Sequence, residues 1–275
     1  MTKWLAKAST AGVLAFFALA LLPRATWPLI DPDVWWHIRA GETVLATGTI
    51  PRTDAWSITA AGHPWTSQDW LSNVLLAVGW RLGTWGATLL SLASAGVVVV
   101  AFVVLWRAVS MRRPSVGWFA LVVWFSAALI VAGPVLGVRV QIIDLLFAAT
   151  VLLLLWAFMF DERRRWLVLL PLVAVAWANL HAGFPILFLF GGAVVAGEGA
   201  DRALRRHPDG APLRWTSIGW LAVALAVAFV ALVLNPNGID IYRYPFDTVN
   251  IGALADFVGE WQPARLDNLF GWLLV

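Results

Sequence analysis

Apolar and polar positions alternate along this chain on two length scales. On the longer scale, apolar runs of about 20 residues are separated by short polar stretches, and about 20 residues of helix cross the roughly 30 Å hydrocarbon core of a bilayer. The runs are Ala11–Ile30 (interrupted by Pro23 and Arg24), Ala87–Trp106, Trp118–Val135, Ile142–Phe160, Trp166–Ala178, Phe184–Ala196 and Ile218–Leu234. A further run, Leu269–Val275, is cut off by the chain end. The pattern predicts an all-α integral membrane protein, a polytopic bundle of about seven to eight transmembrane helices forming a single module over residues 1–275. On the shorter scale, the stretch from Asp31 to about Gly83 carries helical periodicity: Val34, Ile38, Gly41 and Leu45 share an apolar face, while Asp33 and His37 stand four apart on another. Thr66 and Asp69 have the spacing of a helix start, so this long first outer loop is expected to hold two interfacial helices joined by a turn.

Composition supports the membrane reading. Of 275 residues, 61% are hydrophobic and 13% charged, against about 25% charged in a soluble domain. This excludes a water-soluble globular enzyme, and there are too few polar groups to solvate a disordered chain. The absence of cysteine excludes disulfides and thiolate chemistry. The loops sort by charge. Lys3, Lys7, Arg107, Arg112, Arg113, Arg163, Arg164, Arg165, Arg202, Arg205, Arg206 and Arg214 make one side, 12 basic residues against five acidic ones; the other side has seven basic against 11 acidic. The positive-inside rule then places the first set, and the N-terminus, in the cytoplasm of a multi-pass plasma-membrane protein. The same asymmetry accounts for the sequence pI near 9.9 without a nucleic-acid partner. Met1–Lys7 and Ala18–Ala20 also fit a secretory signal peptide, but the later alternation of spans favours a retained first helix.

The chemistry-bearing residues fall on the outer side. The long loop opens Asp-Pro-Asp-Val-Trp-Trp-His at Asp31, directly after a span, where a carboxylate is costly unless used or paired. Arg139-Val-Gln141 with Asp144 begins one span, and Trp177-Ala-Asn179-Leu-His181-Ala-Gly183 closes another. Asn235-Pro-Asn-Gly238, Tyr242-Arg243-Tyr244-Pro245 and Glu260-Trp261-Gln-Pro263 fill the last outer loop. Individually these have bland readings, as turns, helix caps and interfacial tryptophan anchors; their common placement is the signal.

With these motifs the chain resembles the GT-C superfamily of membrane glycosyltransferases, the polyprenol-phosphate-sugar-dependent, protein mannosyltransferase-like group. The resemblance rests on Asp31 and Asp33 opening the first outer loop, on the run from Trp35 through Gly48, Pro51 and Asp54, on Arg139-Val-Gln141, on Asn179 to Gly183 and on Asn235 to Gly238. Where that group carries an adjacent Asp-Glu pair, this chain reads Asp-Pro-Asp. The resemblance implies transfer of a sugar, with inversion, from a polyprenyl-phosphate donor to a hydroxyl of a glycan, lipid or protein acceptor at the extracytoplasmic face. Asp33, or alternatively Asp31, would take the acceptor proton. Arg139, with Arg243 or Arg39 as alternatives, would meet the phosphate. Gln141, His37, Asn179, His181 and Glu260 would bind the substrates. No cofactor is expected; a divalent ion among His37, His63, His181 and the carboxylates is conceivable, although no His-Glu-x-x-His spacing occurs. Two other classes stay open: a lipid or sugar transporter or flippase, and a non-catalytic scaffold. The end inside an apolar run is read as that of an N-terminal module or fragment.

Overall fold

The computed structural model describes Leu29 and residues 31–112, 118–133, 136–161, 164–205, 213–252, 256 and 258. The first run (residues 11–30, apart from Leu29), the terminal run at 269–275 and Glu260 lie outside the described residues. Among the described residues the regular structure is helical, with one isolated bridge between Thr53 and Pro64. The helices are α1 (Asp33–Thr47), α2 (Trp70–Trp80), α3 (Gly86–Arg112), α4 (Trp118–Ala132), α5 (Ile142–Asp161), α6 (Leu169–Leu180), α7 (Pro185–Ala203), α8 (Trp215–Ala231) and α9 (Tyr244–Val249). Single 3₁₀ turns precede α3 and α6 and follow α8.

Among the described residues, three helical segments are long and apolar enough to cross a membrane: Gly83–Met111, Ile142–Phe160 and Trp215–Leu234. Their outer surfaces stay apolar, with Val100, Trp220, Val227 and Val230 at least half-exposed or nearly so, as expected of helices that meet lipid rather than water. The sequence pattern also marks Trp166–Ala178 as a span, but the α-helix there, α6, has 12 residues, about 18 Å at 1.5 Å per residue. It is preceded by the 3₁₀ turn Arg164–Val168, whose narrower winding lengthens the rod while facing Arg164 toward Trp220, 5.1 Å from the ring centroid. Helix α7 carries Glu198, Asp201 and Arg202 in its last turns, so its apolar part is shorter than its 19 residues.

The main core lies among α5, α6, α7 and α8, around Phe158, Leu170, Trp177, Leu187 and Leu221, all fully buried. Helix α3 packs along α5, and α4 meets α3 through an edge-to-face Phe102–Phe125 pair at 5.2 Å. A third cluster, Val34, Ile38, Leu90 and Val138, joins α1 to the starts of α3 and α5. The apolar face expected on α1 therefore forms, except that Leu45 is exposed near its end.

These contacts give the bundle two unlike ends. One gathers Arg164, Arg165, Arg202 and Arg214; there Glu198 accepts the Leu213 N–H at 2.7 Å and Arg202 donates to the Leu213 carbonyl at 3.3 Å. The other holds α1, α2 and the start of α5 with the ends of α6 and α8. Arg164, Arg165, Arg202 and Arg214 thus lie at the end away from Asp31, Asp33 and Arg139.

Between α1 and α2 the chain forms a small hairpin. Gly48 ends α1 in the left-handed conformation, φ 68°, which its missing Cβ permits. Asp54 organises the tip: its Oδ1 accepts the Trp56 and Ser57 N–H groups at 2.8 and 2.9 Å, and its Oδ2 accepts the Ser57 hydroxyl. These bonds, led by the Ser57 hydroxyl, hold the Asp54 carboxyl below its ordinary pKa. A depressed carboxyl contributes order that is complete above its ordinary value and lost as pH falls through its folded value. The hairpin is therefore expected to become protease-sensitive on acidification, and Asp54→Asn to show that sensitivity already at neutral pH. Limited proteolysis across pH 2–7 checks this.

Candidate functional site

The site is assembled from four chain segments at the acidic, aromatic end. Pro32 begins the first turn of α1, and Asp31 supplies the missing cap: its Oδ1 accepts the Asp33 N–H at 2.9 Å. The other oxygen, Oδ2, meets the Arg139 guanidinium, on the segment that leads into α5. Both side chains are largely buried, 15% and 12% exposed, so this pair is held in low dielectric and neither charge is free of the other. Asp31 and Arg139, 108 positions apart, are thereby brought together. Asp33 lies one residue into the helix and is half-buried. Its Oδ1 accepts the Trp36 indole N–H at 3.3 Å, and its Oδ2 has no partner among the described residues.

Beside Asp33 stands an aromatic wall. Trp36 meets Trp65 edge-to-face at 5.2 Å, and Trp65 meets Trp56 at 5.4 Å. The Trp65 indole N–H is buried with no hydrogen-bond partner among the described residues. Trp36 also stacks on His37, with ring centroids 4.0 Å apart.

His37 points inward and is 4% exposed. Asn73 Nδ2 donates to Asp69 Oδ1 at 3.2 Å, which turns Asn73 Oδ1 toward His37 Nδ1 at 2.7 Å; Asp69 Oδ2 lies 3.3 Å from the same nitrogen. Both neighbours are acceptors, so His37 carries its proton on Nδ1. Asp69 therefore spends its carboxylate on His37 and Asn73 and makes no cap bond to α2, although it occupies the N-cap position. The capping pattern put the helix start at Thr66 with Asp69 three residues on, whereas the helix starts at Trp70 with Asp69 at the cap, where a buried imidazole competes for the oxygen that the cap would use. His37 thus holds α1 to α2, out of reach of a surface ligand.

Asn179 is also committed internally. Its Nδ2 donates to the Val175 carbonyl at 2.8 Å and its Oδ1 accepts the Trp70 indole N–H at 2.6 Å. His181, 19% exposed, approaches both oxygens of Asp144 through Nδ1, at 2.9 and 2.8 Å. Gln141 is half-buried in the turn before α5, and Arg243 is exposed where the 3₁₀ turn Gly238–Tyr242 meets α9. Of the expected site residues, Asp31, Asp33 and Arg139 form one group, and His181, at the end of α6, forms a second with Asp144 of the first turn of α5. Glu260 lies outside the described residues. Among the described residues no group of three or more His, Cys, Asp or Glu could hold a metal ion.

Several residues organise the site through contacts that sequence spacing does not show. The Asn-Pro-Asn-Gly turn is a clamp: Asn235 Nδ2 donates to the carbonyls of Gln68 and Ala178 at 3.2 and 2.8 Å, and its Oδ1 accepts from the Asn237 backbone and side-chain N–H groups. Arg52 donates to Asn237 Oδ1 at 2.7 Å and to the Pro236 carbonyl at 2.6 Å, tying the hairpin to the same turn. Tyr244, on α9, keeps its proton above its ordinary range because of burial and the nearby Asp69 carboxylate. The available hint was an Asn at 73 in an otherwise apolar helix. Asn235 is 2% exposed, so Asn235→Ala leaves two carbonyls and two amide donors short of a partner. It is expected to cost about 2–4 kcal/mol, measurable as a lowered unfolding midpoint in detergent, whereas Arg52→Ala, at a half-exposed margin, costs less.

Compared with protein-family models, curated proteins and solved structures, the chain matches none.

Proposed function

We propose that this protein is a GT-C-like membrane glycosyltransferase, a bundle of seven to eight spans that moves a sugar from a polyprenyl-phosphate donor to an acceptor hydroxyl with inversion. The observation that carries the reading is the meeting of Asp31, Asp33 and Arg139, from two distant segments, at the bundle end opposite the arginine clusters. Under the positive-inside rule that end is extracytoplasmic in a plasma membrane, where a lipid-linked sugar can approach between helices and its phosphate lies at the polar boundary.

In this reading the roles divide by surroundings. Asp31 is engaged with Arg139 and with the start of α1, whereas Asp33 keeps one oxygen open. Asp33 is then the base: the acceptor O–H bond breaks toward its Oδ2 as the oxygen bonds to the anomeric carbon. The C–O bond to phosphate breaks on the opposite face, and its electron pair leaves with the phosphate. Arg139 supplies positive charge near the leaving group, oriented by Asp31. Trp36, Trp56 and Trp65 offer apolar ring faces, and the Trp65 indole N–H a donor, for a sugar. No cofactor is assigned. Membranes containing the full chain, assayed with a panel of radiolabelled prenyl-phosphate sugars, test the reading. Transfer that depends on Asp33 supports it; absence of transfer from every donor leaves the scaffold or transporter class.

A further inference from the structure

His181 and Asp144 make a second constructed centre, distinct from the Asp31–Arg139 pair. Asp144 sits in the first turn of α5, where the helix N-terminus favours a carboxylate. Its Oδ1 accepts the indole N–H of fully buried Trp177 at 2.6 Å, and both oxygens face His181 Nδ1. Gly183 lies directly against this carboxylate, and a Cβ at 183 would overlap it. The carboxylate is thus held on three sides by α6 and the turn that follows. An acceptor fixed at Nδ1 requires the proton there, so neutral His181 presents Nε2 as a lone pair on the opposite edge of the ring. Nε2 has no partner among the described residues, and the ring is 19% exposed, unlike His37.

We infer that His181 Nε2 is a hydroxyl-binding subsite, accepting a hydrogen bond from a hydroxyl of the sugar donor or of the acceptor, with Asp144, Trp177 and Gly183 as its positioning residues. The role as a subsite for these substrates rests on the glycosyltransferase reading; the tautomer and reach of His181 do not. The subsite works only while the imidazole is neutral, because protonation of Nε2 turns the acceptor into a donor. Asp144 is the charged group in contact with it. Arg139, already paired with Asp31, lies on the segment just ahead of α5, and the other neighbours at this end, Asn179, Ser72 and Asn235, are neutral.

Two measurements on the full-length protein in detergent test this. In the first, histidines are modified with diethyl pyrocarbonate and mapped by mass spectrometry. His181 is expected to react at Nε2, the ring edge away from Asp144, and His37 to be protected. An unreactive His181 overturns the inference even if transfer is observed. In the second, the KM for donor and for acceptor are followed across pH. His181→Phe should raise one of them about five- to tenfold, the scale of one lost hydrogen bond; which of the two rises identifies the hydroxyl. His181→Gln, which places an uncharged acceptor near the position of Nε2, should restore most of the loss. Equal KM values in His181→Phe and wild type overturn the inference. If the wild type transfers no sugar, the glycosyltransferase reading fails by itself, and the modification experiment still decides whether His181 is a reachable acceptor.

Discussion

Asp33→Asn is expected to lower sugar transfer by about 10²- to 10⁴-fold, the usual contribution of a positioned base, while leaving membrane insertion and thermal unfolding nearly unchanged. The reason is local. Asp33 is half-buried at the first turn of α1, and its side chain makes one bond, from the Trp36 indole, which the Asn carbonyl can still accept. Asp31→Asn gives a different result. It keeps an oxygen for the Asp33 N–H but removes the charge opposite a guanidinium that is 12% exposed. Losing the carboxylate opposite a largely buried guanidinium weakens the hold on Arg139, so Asp31→Asn should lower activity and stability together. Measuring transfer and the unfolding midpoint on the same two preparations separates the roles. Unchanged transfer in Asp33→Asn rejects Asp33 as the base, and Asp31→Asn as stable as wild type rejects the buried pair.

Gly41→Val should damage the fold and the candidate site together. In an ordinary helix, replacing glycine with alanine gains about 0.5–1 kcal/mol from chain entropy. Here the helices touch backbone to backbone. A Cβ on residue 41 of α1 would overlap the Asn73 carbonyl of α2 and lie 2.9 Å from the Ala77 Cβ. Because a main-chain carbonyl inside a helix cannot swing aside, α1 and α2 must separate. Separation stretches the His37–Asn73 bond of 2.7 Å and moves Asp33 and Trp36 with α1. Overpacking of this kind costs about 1–3 kcal/mol, so even Gly41→Ala should reverse its usual sign, and Gly41→Val should both lower the unfolding midpoint in detergent and depress any transfer. A Gly41→Ala protein more stable than wild type would show that the two helices are not in contact.

The helical class and the apolar segments Ala87–Trp106, Ile142–Phe160 and Ile218–Leu234 were legible in the chain, because lipid imposes a one-dimensional rule: about 20 apolar residues per crossing, with charges left at the ends. Helix α1 was legible too, since Val34, Ile38 and Gly41 recur at helical spacing and are buried as that spacing requires. Pairings between segments were not. Nothing near Asp31 names Arg139 as its partner, and nothing near Arg52 names Asn237. His37 shows the same limit from the other side. Spacing placed it with Asp33, but a helix turns 100° per residue, so residues four apart differ by about 40°. That angle is enough to leave one at the margin and seat the other between α1 and α2, where Asp69 and Asn73 satisfy it.

Sequence alone determined the helical class and three long apolar segments, because both follow from the properties of each residue taken singly. Tertiary structure decided which of the polar groups is occupied and which is open. Asp31, Asp69 and Asn179 are committed to Arg139, His37 and Trp70, while an oxygen of Asp33 and Nε2 of His181 remain available. That division depends on distances between residues up to 109 positions apart, set by helix packing, and a buried polar group takes whichever partner the packing brings within about 3 Å.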